Sequence, residues 1–330
     1  MRKPKQDTRY VGIDNLRGWL IVLVMLGHIV LGSVHENIFR YAVYAFHMPV
    51  FIGLTGYLIN ASMLRNSTFI SIFQRYWWRV LFPFAFAYLF YTGILIFHAF
   101  EEGRVTVKLL LSYIHTPYYH LWFIPTMVIW VFAFAMFVKL KSRLLTVLLF
   151  FGILSLTWAA VPNSSLWGVF APFLSKKVVY FFSFFLFGAW LKTSGSERFR
   201  SLFREFKALP LAVLLLCASV YLLEIGGDKS LLKALVWSVL NLVLITVLIE
   251  KAISNGLLKP SLISGIGRNS LPIYLWHVAP LFLLKGFDIH QTHVFLYYGV
   301  ATISMMLIVA LVLKFEARSK LLNKCLYGVV

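Results

Sequence analysis

What most constrains this chain is the recurrence of apolar stretches near 20 residues long. A helix needs about 20 mostly apolar residues to cross the hydrocarbon core of a bilayer. Ten such spans are expected, at 13–33, 41–60, 80–99, 120–138, 143–160, 174–191, 209–224, 231–250, 269–286 and 294–313. Composition points the same way. Of 330 residues, 60% are hydrophobic and only 13% are charged, with mean hydropathy +0.82. A soluble domain carries about 25% charged residues. The expected fold class is therefore all-α: a polytopic membrane protein of about ten transmembrane helices. The spans leave room for one membrane domain over 1–330 and for no separate soluble domain. The longest polar stretch, "KTSGSERFRSLFREFK" at 192–207, reads as a basic amphipathic loop.

Lysine and arginine set the orientation, because they concentrate in cytoplasmic loops. With the N-terminus placed inside, the cytoplasmic segments hold 22 of the 31 Lys and Arg residues and the outer segments 8; Arg17, within the first span, completes the count. Both termini are thus expected in the cytoplasm. The net charge of +19 would suggest nucleic acid in a soluble protein. Here it is read as topology facing anionic lipid, with no nucleic-acid partner. The first apolar run follows a basic N-region without a small-residue cleavage site, so it is expected as a retained helix. Cys217 and Cys325 lie far apart and offer neither a metal spacing nor a disulfide framework.

The polar residues inside the spans are the informative ones, since ionisable groups there usually face a cavity or pathway. Of nine histidines, His35, His115, His290 and His293 fall in outer loops, and His98 and His120 at outer helix ends. His28 and His47 lie about a turn and a half inside the outer end of spans one and two, and His277 near the middle of span nine. In "LRGWLIVLVMLGH", Arg17 and His28 are eleven residues apart. On a helix that is roughly 16 Å along the axis and close to three full turns, so both lie on about one face. A cation at the inner mouth with a base deeper in describes a site for an elongated anionic molecule. The plainer alternative is an arginine that snorkels and pairs with Asp14. The short loop between spans one and two makes them antiparallel neighbours, which can bring His47 near His28.

A second basic feature is "FQRYWWRVLFP", where Arg75 and Arg79 are four apart and hence on one helical face. Arginine offers a planar fork suited to phosphate. A positive-inside anchor among Tyr76, Trp77 and Trp78 is the alternative. "YYHLWFIP" opens the fourth span with His120 and Trp122, and "SLPIYLWHVAP" places Tyr274, Trp276 and His277 in the ninth between Pro272 and Pro280. Prolines in a span are tolerated where a cavity or neighbours satisfy the freed backbone groups. Aromatic belting is the alternative for these rings. Asp14, Glu224 and Glu250 sit near span ends, and none of the carboxylates is central, which weighs against a proton-coupled transporter. There is no P-loop, dinucleotide fingerprint or zinc motif.

With these pieces in order, the chain resembles the acyltransferase-3 family of integral-membrane acyltransferases. Within it the chain is similar to the fucose 4-O-acetylase-like branch of sugar O-acetyltransferases. The resemblance rests on "IDNLRGWLIVLVMLGH", "FHMPVFIGLTGYLI", "QRYWWRVLFP", "HLWFIP" and "SLPIYLWH". It implies transfer of an acyl group, most often acetyl, from cytoplasmic acyl-CoA to a hydroxyl of an extracytoplasmic or lipid-linked carbohydrate. It implies no metal, and it places the protein in a cell membrane, a bacterial plasma membrane by the family's usual setting. Mapped residue by residue, Arg17, Arg75 and Arg79 are expected on the donor's phosphates. His28 is expected as general base, with His47 orienting it, donating to the oxyanion or touching the acceptor. His120, Trp122, Tyr274 and His277 are expected around the acyl group or the sugar. A transporter or flippase for a lipid-linked saccharide, without acyl transfer, is the alternative from another class.

Overall fold

The computed structural model describes residues 11–34, 36–115, 120–160, 176–193, 196–204, 211, 231–254, 261–285, 293–315, 323 and 325. Among these the protein is all-helical, without a strand. In chain order the helices are α1 (Val11–Ile29), α2 (Ile38–Leu58), α3 (Ala61–Asn66), α4 (Phe69–Tyr76), α5 (Phe82–Glu101), α6 (Val107–His115), α7 (Phe123–Lys139) and α8 (Leu144–Ala160). They continue with α9 (Lys176–Leu191), α10 (Glu197–Arg204), α11 (Leu231–Ser254), α12 (Leu262–Arg268), α13 (Ser270–Trp276), α14 (Ala279–Lys285) and α15 (Val294–Phe315). Among the described residues, five uninterrupted helical stretches are long and apolar enough to cross a membrane: α1, α2, Phe69–Glu101, α11 and Val294–Lys314. Shorter apolar helices occupy Phe123–Lys139, Leu144–Thr157 and Val178–Leu191. The expected span at 209–224, with His35, His290, Pro162 and Pro172, lies outside the described residues, as does the side chain of His115.

The chain forms two compact units. The first is Met1–Leu58 with Phe187–Ser270. Its tightest seam joins α1 to α12, and it is made by glycine. A Cβ on Gly18 would overlap the carbonyl oxygen of Ile263, and one on Gly267 would overlap that of Asp14. Small residues that let backbones touch replace the missing hydrophobic drive between helices in lipid. Ser261 adds a bond from Oγ to Asn15 Oδ1 at 2.9 Å, and caps α12 reciprocally with Ser264. The α1 backbone beside Arg17 is therefore held on both sides of that residue.

In α2, Asn37 Oδ1 accepts from the amides of Phe39 and Arg40 at the start of the helix. Pro49 sits inside it and has no N–H to give the carbonyl four residues earlier, that of Ala45. Asn241 on α11 fills the gap: its Nδ2 donates to the Ala45 oxygen at 3.2 Å and to Trp237 O at 2.9 Å. The 192–207 segment, read from sequence as a loop, contains a helix. One face of α10 is anchored in the unit, with Phe199 against Phe187 and Trp190, and Arg200 Nη1 3.1 Å from Glu250 Oε1 in a largely buried pair. Arginine and carboxylate there shed their water only because each finds the other.

The second unit is Ile59–Leu186 with Leu271–Val330. Asn60 caps α3 and Thr68 caps α4, each accepting from an amide three residues on. Lys139, ending α7, donates to the carbonyls of Arg65 and Ser67 and so pins the α3–α4 turn. Helix α4 runs into α5 through a π turn, Trp77–Leu81, where Phe82 N–H bonds Trp77 O. The cause is Pro83, which cannot donate to the carbonyl of Arg79 in α-helical register. The continuous run Phe69–Glu101 has 33 residues. At 1.5 Å per residue that is about 50 Å, longer than a bilayer core of about 30 Å. The whole run therefore does not fit within the hydrocarbon along the bilayer normal. Deeper in the unit, Trp130 Nε1 donates to Val178 O at 2.8 Å, and Trp130, Phe151, Phe182 and Phe185 pack ring on ring.

The stretch expected as one span at 269–286 is not a single helix. It breaks at Asn269 and again at His277 and Val278, between α12, α13 and α14. Pro272 and Pro280 explain both breaks, since neither can donate to the carbonyl of Arg268 or Trp276.

Candidate active site

Helix α1 carries Arg17 and His28, and both side chains are half-buried. Eleven residues of unbroken helix leave them about 20° apart around the axis and roughly 16 Å apart along it. The two positions therefore share about one face of α1, as expected from their spacing. At the far end, His28 Nδ1 lies 3.3 Å from the hydroxyl of Tyr44 on α2. The Tyr44 ring stands edge-on to His28, with centroids 6.2 Å apart, and edge-on to His47 at 5.0 Å. His28 and His47 therefore flank one tyrosine. Gly27 makes the arrangement possible, because a Cβ there would come within 2.8 Å of Tyr44 Cε2. Over the same ring sits the guanidinium of Arg40, 5.4 Å from the centroid. Arg40 also donates to the carbonyls of Val30 and Gly32, just past the end of α1.

His47 is 3% exposed, and its Nδ1 lies 2.6 Å from Val43 O. A carbonyl can only accept, so Nδ1 carries the proton and Nε2 the lone pair.

In the second unit three of the expected residues come together. His120, Tyr274 and His277 are 3%, 5% and 0% exposed. The His120 ring is 5.2 Å from that of His277 and 5.7 Å from that of Tyr274. Tyr274 donates its hydroxyl proton to the His120 carbonyl. His120 Nε2 points at Leu275 O at 3.4 Å, and Tyr91 donates to the same oxygen at 3.0 Å. His277 Nδ1 returns to its own helix, 2.8 Å from Tyr274 O. Tyr91, His120 and Tyr274 thus tie the irregular α13–α14 backbone to α5 or to the turn before α7, while His277 braces its own segment. Trp122 is half-buried and stacks on Phe181 at 5.6 Å, apart from these partners.

Arg75 and Arg79 are both exposed. Their relation is not the α-helical one expected from a four-residue spacing, because Arg79 lies in the π turn that Pro83 forces.

Residues 10–314 match the family described as the acyltransferase domain. The chain belongs to that acyltransferase family. Two curated relatives are "Nodulation protein NolL" of Sinorhizobium fredii, 35% identical over 68 residues, and its namesake of Mesorhizobium japonicum, 31% identical over 68 residues. The first match covers 18% of this chain and 19% of the relative, the second 18% of each. The aligned part is thus under a fifth of either relative's length. No solved structure matches.

Two residues of this family member were not singled out from sequence, Tyr44 and Asn241. Tyr44 had a signal: three residues before His47, it shares a helical face with it, and Gly27 leaves the space it needs. Asn241 had a fainter one. A buried proline in a span frees a carbonyl, and an asparagine in another span is the kind of donor that answers it.

Proposed function

We propose that this protein is a membrane O-acyltransferase that moves an acyl group, acetyl in the first instance, from cytoplasmic acyl-CoA to a hydroxyl of an extracytoplasmic or lipid-linked carbohydrate. The reading is carried by the family match over residues 10–314, joined to Arg17 and His28 on one face of α1. Their separation of roughly 16 Å is on the scale of the extended arm joining CoA's phosphates to its thiol. Arg17 supplies a planar fork for a phosphate. His28 Nε2 takes the proton of the acceptor hydroxyl as its oxygen attacks the thioester carbonyl carbon. The tetrahedral adduct then collapses, the C–S bond breaks, and the thiolate leaves with the proton returned from His28. Histidine suits both halves because its ordinary pKa lies near working pH.

Arg75 and Arg79 of the second unit are proposed as further phosphate ligands on charge and exposure alone. His47 is proposed as support for the catalytic end of α1 through Tyr44. Of the residues expected near the acceptor, Trp122 is the more accessible, while the burial of His120, Tyr274 and His277 favours a packing role.

The test is transfer from labelled acetyl-CoA in vesicles, with His28→Ala and Arg17→Ala beside the parent. Loss of transfer in the first and a raised donor KM in the second support the reading. Parental transfer by His28→Ala removes the base assignment, and an unchanged donor KM in Arg17→Ala removes the phosphate assignment. Failure of the purified parent to bind CoA at all favours the saccharide-transporter alternative.

A further inference from the structure

We propose that Tyr44 is a positioning residue for His28: its hydroxyl oxygen accepts Nδ1–H, which leaves Nε2 as the lone pair that meets the acceptor hydroxyl. This rests on the reading of His28 as the base.

His47, His120 and His277 each aim one ring nitrogen at a backbone carbonyl. A carbonyl only accepts, so each tautomer is fixed by the backbone. His28 differs, because its Nδ1 lies on a side-chain hydroxyl, 3.3 Å away. A hydroxyl can donate or accept, so the proton's place depends on where the tyrosine is held. If Tyr44 donated to Nδ1, the proton of neutral His28 would sit on Nε2 and the ring could not take another there. With Nδ1–H donated to Tyr44, Nε2 is basic and Nδ1–H stays bonded through protonation and deprotonation.

Tyr44 is fixed well enough to do this. Gly27 makes room for one edge of its ring, with Cε2 only 2.8 Å from where a Cβ would stand. His47 meets it edge-on at 5.0 Å, itself anchored on Val43 O. Arg40 covers it at 5.4 Å and is anchored on the carbonyls of Val30 and Gly32. The hydroxyl is therefore placed by two neighbours that are each tied to backbone, one on either side of the α1–α2 turn. Groups that orient a catalytic or ligating histidine through its second nitrogen are a recurring device, and their loss misdirects the ring without removing it.

The experiment uses the full chain in lipid nanodiscs, with histidine labelled with nitrogen-15. His28→Ala assigns the His28 signals in the nitrogen spectrum of the parent. The parent is expected to show His28 as the Nδ1–H tautomer, and Tyr44→Phe a mixture of the two. In transfer assays Tyr44→Phe is expected to lower kcat roughly tenfold, the worth of one hydrogen bond, with donor KM unchanged. In the His28→Ala background, Tyr44→Phe is expected to change nothing more. An Nε2–H tautomer in the parent, a spectrum that ignores Tyr44→Phe, or a kcat loss that persists without His28 overturns the proposal. The two readings fail separately. An active His28→Ala removes the base role whatever the spectra give. An inactive His28→Ala with an unresponsive tautomer leaves the base role and removes that of Tyr44.

Discussion

The two histidine clusters of this molecule are built from the same side chains, and His28 is held differently from the other three histidines. In the second unit, His120, Tyr274, His277 and Tyr91 are 5% exposed or less. Their hydrogen bonds to Leu275 O (two), His120 O and Tyr274 O all end on the backbone. That pattern follows from the prolines at 272 and 280, which break the helix and leave irregular backbone that membrane depth tolerates only when protein satisfies it. In the first unit the helix under His28 is unbroken, and the ring is half-buried with a hydroxyl for a partner. An imidazole with one nitrogen on a backbone carbonyl has its tautomer fixed by the main chain. One held by a side chain, with a face left accessible, is available for chemistry. A histidine inside a span is thus a functional candidate only once its partner is known.

The comparison breaks most sharply at His28. His28→Ala is expected to lower transfer by 10²–10⁴-fold, the usual worth of a positioned base, while the thermal midpoint in detergent stays near the parent's. A variant that unfolds readily but keeps its turnover would reverse the assignment of the two clusters. Next is Arg17. Arg17→Ala is expected to raise donor KM about 10- to 100-fold, since a hydrogen bond to a charged group is worth about 1.5–3 kcal/mol. Arg17→Lys restores part of it, because lysine keeps the charge without the fork. In the second unit the expected sign is different. His277→Ala is expected to cost about 1–3 kcal/mol of stability, read as an earlier unfolding transition, with kcat per folded molecule retained. A normal midpoint with lost acceptor affinity would return this cluster to the acceptor-binding role expected from sequence.

How much of this was legible follows from the kind of signal each residue leaves. The all-helical membrane fold was open to reading, because 20-residue apolar runs have one stable answer in a bilayer. So was the shared face of Arg17 and His28, which needs only the helical repeat and a helix without a break. The π turn that holds Arg79 was not anticipated, since a proline four residues beyond Arg79 converts the turn and a spacing rule assumes no such change. The break at 277–278 was signalled by Pro280, but its consequence was not. A span interrupted at midlength draws Tyr91 and His120 to its Leu275 carbonyl and sends its own Tyr274 out to His120 O, and the sequence presents these side chains as a polar constellation like any active site. Tyr44, one tyrosine among 16, was passed over because its spacing to His47 gains meaning only once α1 and α2 are set side by side.

The smallest expected effect tests the packing half of the comparison on its finest detail. The carbonyl of Leu275 receives Tyr91 OH at 3.0 Å and His120 Nε2 at 3.4 Å. Tyr91→Phe removes the shorter bond and keeps the ring, which packs against those of His120, Trp276 and Phe282. The oxygen then keeps one donor, so no buried acceptor is orphaned and the full desolvation cost is not incurred. Hydrogen bonds between membrane helices average about 0.6 kcal/mol, and the loss is expected at that level, with kcat and both KM values unchanged. Tyr91→Phe combined with His120→Leu leaves the carbonyl bare, and the pair is expected to cost more than the sum of the single variants. Additive losses would mean that the two donors do not share one acceptor in function. A fall in kcat for Tyr91→Phe alone would mean that this cluster, too, reaches the reacting groups.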